Sequence, residues 1–213
     1  DKTKNEIIEI LRELPVAYKS WIHERYEEAE SLENSQTEVA EQNLKLCSEA
    51  VSRINDGIDL LVEDDLALEA FCLSNKAMLL QQVHYNRKTR EIEDSWEELP
   101  SFPPKLAINQ GKWRVFQLAF ILMNLRGAFR GYQDPSRELV DLIWFPTGGG
   151  KTEAYLGLSA YVIFVRRLHN PDDAGCTVLM RYTLRLLTVQ QFQRAASLIC
   201  ACENIRKSYP VNK

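Results

Sequence analysis

The chain has 213 residues, 45% of them hydrophobic and 26% charged. That balance excludes disordered, collagenous and fibrous proteins and leaves enough apolar material for a sizeable core. The net charge of −4 hides a polarity: residues 1–100 carry 23 acids against 11 bases and residues 101–213 carry 7 against 15, or −12 and +8. Two units with different partners are expected, and the basic one suits a polyanion.

The chain opens Asp1-Lys2-Thr3-Lys4-Asn5, with no initiator Met and no apolar leader, which reads as an internal fragment or a trimmed start. Ile7, Ile10, Leu11 and Leu14 follow helical spacing, and Pro15 is expected to interrupt them. Cys47, Ala50, Val51, Ile54, Ile58 and Leu61 keep the same period through a longer second helix. A third runs from about Asp65 to Val83. Gly57 is the sole glycine of this half, so hairpins are not expected. Residues 1–100 therefore read as an all-helical module with no chemical motif. The acidic stretch Glu91 to Glu98 and the prolines Pro100, Pro103 and Pro104 mark its end.

Phe116 to Leu125 is the longest apolar run; Gln117 and Asn124 interrupt it, and it is too short to span a bilayer. No membrane association is expected. Five cysteines without a CxxC pair and three scattered histidines offer no zinc ligand set and suit thiols in a reducing cytoplasm.

Leu139 to Phe145 is an apolar run of strand length broken by Asp141, and Pro146-Thr147-Gly148-Gly149-Gly150-Lys151-Thr152 follows directly. Ala154, Leu156, Leu158, Ala160, Tyr161 and Phe164 then predict a buried helix ending near Arg166-Arg167. Strand, glycine loop, Lys-Thr and helix make the context of a phosphate-binding loop. Glycines let backbone amides approach phosphate oxygens, and the helix N-terminus adds partial positive charge. In this reading Lys151 pairs with the β- and γ-phosphates of ATP, and the Thr152 hydroxyl ligates Mg²⁺. Phe145 stands where the strict pattern has its first glycine. Cys176 to Tyr182 reads as a second strand, leading into a helix with Phe192, Ala195, Ile199, Cys202 and Ile205 on one face.

The loop without its first glycine resembles that of superfamily 2 helicases and translocases. Trp113-Arg114-Val115-Phe116-Gln117 resembles their Arg-aromatic-Gln segment, where the Gln reads the adenine edge, though it also reads as an amphipathic core helix. Arg185, Leu187 and Gln190 match their next motif, which touches the nucleic-acid backbone. Residues 108–207 look like the helicase subunit of the bacterial DISARM anti-phage system and its relatives. The resemblance implies an α/β fold: helical residues 1–100, then residues 101–213 as the front part of a RecA-like parallel-sheet domain. It further implies ATP and Mg²⁺ as cofactors, Gln117, Thr147, Gly148, Gly149, Gly150, Lys151 and Thr152 as the nucleotide site, and Arg185 and Gln190 as nucleic-acid contacts. The implied partners are DNA, a second RecA-like lobe in the remainder of the chain, and a defence complex.

After Lys151 the acids are Glu153, Asp172, Asp173 and Glu203, and none ends an apolar strand. The acidic magnesium motif of such ATPases is therefore not present, and these 213 residues alone are not expected to turn over ATP. Two rival readings stand beside this one. One is a different phosphoryl-transfer NTPase sharing only the loop; the other is a helical docking module on a degenerate nucleotide-binding scaffold.

Overall fold

A computed structural model describes residues 2–86, 111–144, 146, 148–181 and 185–208. Its α-helices are α1 (Lys4–Ala29), α2 (Asn34–Glu63), α3 (Asp65–Asn86), α4 (Val115–Arg130), α5 (Lys151–His169) and α6 (Arg185–Ser208). Short 3-10 turns at Gly131–Gln133 and Pro135–Glu138 follow α4. The chain divides into two compact units, Asp1–Leu68 with Val115–Trp144, and Glu69–Arg114 with Phe145–Lys213.

In the first unit, α1 begins at a capping box. The Thr3 hydroxyl accepts from the Glu6 amide at 3.3 Å, and the Glu6 carboxylate accepts from the Thr3 amide at 2.6 Å. The helix does not stop at Pro15, contrary to the sequence reading. Proline removes one i to i−4 bond, but Leu11, Pro15, Ile22 and Ala29 all bury on the α1 surface, and that packing carries the helix past the defect. Ile22 and Ala29 meet Leu44 and Val51 of α2 in one apolar cluster.

Further along α2, Ile54, Ile58 and Leu61 are fully buried, each worth about 1.5–3 kcal/mol of burial. There α4 approaches so closely that a Cβ on Gly57 would lie 2.0 Å from the Leu122 carbonyl oxygen. The Asp64 carboxylate then caps α3, accepting from the amides of Leu66 and Ala67 at 2.9 and 3.0 Å.

The α/β expectation is overturned: among the described residues there is no strand, and every regular element is helical. Among their described residues, the two runs expected as strands form no strand pairing. Residues 139–144 leave Val140 96% and Trp144 87% exposed, and in the second run Leu179 is 79% exposed. A parallel sheet buries its strands on both faces and pairs their backbones on both edges, and neither condition is met. Asp141, inside the first run, is instead drawn to α2. The Arg53 guanidinium grips its two carboxylate oxygens, both at 2.6 Å, with each side chain at most one-fifth exposed. The guanidinium holds the Asp141 carboxyl below the usual carboxylate range, burial working against it.

In the second unit, the Trp113 indole donates to the Asn75 side chain at 2.6 Å, and the Gly111 amide donates to Gln82 at 3.1 Å, fastening residues 111–113 to α3. Leu156, Ala160 and Phe164 of α5, and Leu198, Cys202 and Ile205 of α6, are buried where these neighbouring helices pack. The α6 face differs from the one expected: Phe192 is 71% and Ile199 53% exposed, while Leu198 and Ala201 are buried. A groove of about 780 Å³ lies between α5, α6 and residues 171–180. Its rim is organised by Arg166, whose guanidinium binds both Asp173 oxygens at 2.7 and 2.8 Å and the Thr177 hydroxyl at 2.7 Å.

Candidate phosphate-binding loop

The loop runs from Pro146 into the first turn of α5. The Gly149 amide donates to the Pro146 carbonyl at 3.2 Å, closing a tight turn. Gly148 and Gly150 take φ of 79° and 89°, and Gly150 is the left-handed N-cap of α5. These angles strain any residue with a Cβ. At Gly148 the space a Cβ would occupy is open, with no atom within 4 Å. Lys151 folds back over the loop, its ammonium donating to the Pro146 carbonyl at 3.0 Å. Arg114 donates to the Gly149 carbonyl at 2.8 Å. A 19-residue helix thus starts at a glycine turn with two cations against it.

This donor set fits the phosphates of a nucleotide. The α5 N-terminus carries partial positive charge and amides that no earlier carbonyl of the helix can accept. Open space lies over Gly148 rather than a packed neighbour. Thr152, in the first turn beside Lys151, supplies a half-buried hydroxyl suited to a hard cation such as Mg²⁺. No cluster of three or more His, Cys, Asp or Glu side chains forms among the described residues.

The structure brings together Gly148, Gly149, Gly150, Lys151 and Thr152 in this one loop. Thr147 lies outside the described residues. Gln117 belongs to the first unit, on α4, and is only 4% exposed. Arg185 opens α6 and Gln190 is exposed in its second turn; the Arg185 side chain lies outside the described residues.

Two contacts were missed by sequence reasoning. One is the Arg114 bond to the loop. The other is an ion pair between Glu153, directly after Lys151-Thr152, and Arg194 of α6. No local signal announces a pair 41 residues apart.

Fold and loop together define a helical protein carrying a glycine turn at a helix N-terminus. No family model matches the chain. It is 38% identical over 216 residues to the DISARM protein DrmA of Bacillus paralicheniformis, the match covering 96% of this chain and 18% of that protein. The chain is thus similar to one stretch of a DISARM protein, and it spans about a fifth of the length of this curated relative. Among the described residues no helix is long and apolar enough to cross a membrane.

Proposed function

We propose that this chain is the ATP-binding part of a DNA-dependent ATPase, a helicase or translocase acting in DISARM-type phage defence. The observation that carries the reading is the loop itself: a left-handed glycine turn opening α5, with the Lys151 ammonium folded over it. The likeness to DrmA supports the defence setting.

In this reading the glycine turn would cradle the phosphates, and the Gly149 amide and the Lys151 ammonium would exchange the Pro146 carbonyl for phosphate oxygens. The Thr152 hydroxyl would hold Mg²⁺, and Arg185 and Gln190 at the start of α6 would meet the DNA backbone. Bound ATP and Mg²⁺ supply the transferable phosphoryl group and its charge neutralisation; the residues here bind and orient.

The test is ATP hydrolysis by the intact protein, with and without DNA, beside Lys151→Ala. Turnover that rises with DNA and falls at least about a hundredfold in the variant is expected, since a preorganised charge at the phosphates contributes on that scale. Turnover indifferent to both DNA and Lys151 would overturn the reading.

A further inference from the structure

Glu153 sits two residues after Lys151, roughly 200° around the helix, and so faces away from the side that Lys151 presents to the loop. It points into the seam with α6 and pairs there with Arg194, the two side chains being 20% and 17% exposed. Among the described residues Arg194 is the one ionic partner of Glu153, and the second carboxylate oxygen is buried without a hydrogen bond. A pair this far removed from water is held firmly, because removal of either member strands a charge in a poorly solvated seam. Arg194 lies one helical turn after Gln190, so both share one face of α6. Gln190 is exposed, and further along the same face Leu198 is buried. The first turn of the loop helix is therefore fastened to α6 one turn after the exposed Gln190.

We propose that Glu153 and Arg194 are positioning residues that couple phosphate-backbone contact at the start of α6 to the glycine loop. This inference rests on the nucleic-acid-dependent ATPase reading above. DNA bound at the α6 N-terminus fixes that helix, and the ion pair passes its position to the turn carrying Lys151 and Thr152. Both act through the helices that carry them, since each side chain is taken up by the other in the seam.

The experiment compares ATP hydrolysis by intact wild-type protein, Glu153→Gln, Arg194→Gln and the charge-reversed double variant Glu153→Lys/Arg194→Glu. Each is assayed without DNA and with saturating single-stranded or duplex DNA. Basal kcat and KM for ATP within about twofold of wild type are expected in the single variants, with the DNA stimulation reduced about tenfold or more. Substantial recovery of stimulation is expected in the double variant. Single variants that keep full stimulation would overturn the coupling while leaving the ATPase reading intact. Equal loss of basal and stimulated turnover would reduce the pair to a structural bridge and overturn it too. A wild-type protein that ignores DNA would sink the functional reading and this inference with it.

Discussion

Glycine does opposite work in the two units. Gly57 in the first is there because of what surrounds it: the Leu122 carbonyl stands 2.0 Å from where a Cβ would be, and α2 and α4 meet over the missing side chain. Gly148 in the second has open space about it and is needed for its backbone angle of 79°. Charge follows the same division. In the first unit, Arg53 and Asp141 close on each other in a part-buried fork. In the second, Lys151 reaches onto the carbonyl of an exposed turn. Gly57 is required by what packs over it, whereas Gly148 is required by its own backbone angle.

Gly57→Ala gives the largest expected loss of stability, about 3 kcal/mol or more, because the new methyl meets backbone that only a helix shift can move. A melting temperature within a degree or two of wild type would show that α2 and α4 separate easily. Asp141→Asn comes next, at about 1–3 kcal/mol, from the loss of two charge-assisted bonds in a part-buried place. Its sign with pH is fixed. The Asp141 carboxyl is held below its ordinary value of 3.8, so its contribution is present at neutral pH and lost as pH falls through the lower folded value. The gap in melting temperature between wild type and variant therefore closes below about pH 4. A gap independent of pH would assign the effect to packing.

Gln117→Ala is smaller, about 1 kcal/mol, as expected for a buried amide that loses its hydrogen bonding. It should also weaken the preference for ATP over other nucleotides. A lowered melting temperature with an unchanged nucleotide profile would leave Gln117 as a core amide of the first unit. Lys151→Ala has the smallest expected effect on stability, under about 0.5 kcal/mol, because its bond to the Pro146 carbonyl lies at an exposed turn. The same variant has the largest expected effect on turnover. A large loss of stability there would mean that the lysine serves the fold.

Much of the candidate site was legible, since Pro146 to Thr152 and the helix after it are local pattern. Glycines at the left-handed positions and Lys-Thr at the helix start follow from the residues in order. The Glu153–Arg194 pair and the Arg114 contact were not legible, because each depends on which distant segment folds against the loop. The buried face of α6 was misjudged for the same reason. Cys202 and Ile205 of the expected face are buried, but Phe192 and Ile199 are exposed, and the position of α5 decides that Leu198 and Ala201 are covered with them.

The sequence by itself determined the helices. Their hydrogen bonds close within four residues, so apolar period, the Thr3 cap and the glycine before Lys151 signal that they form, though not where α1 ends or α2 begins. What only the tertiary structure decided was the fate of the two apolar runs. A strand's hydrogen bonds go to another segment, and nothing within Leu139 to Trp144 or Cys176 to Arg181 says whether one is there. It also decided that α1 passes through Pro15, because burial on one face, rather than local bonding, holds that turn. Finally it decided that Asp141, an interruption in an apolar run, is the carboxylate that Arg53 grips.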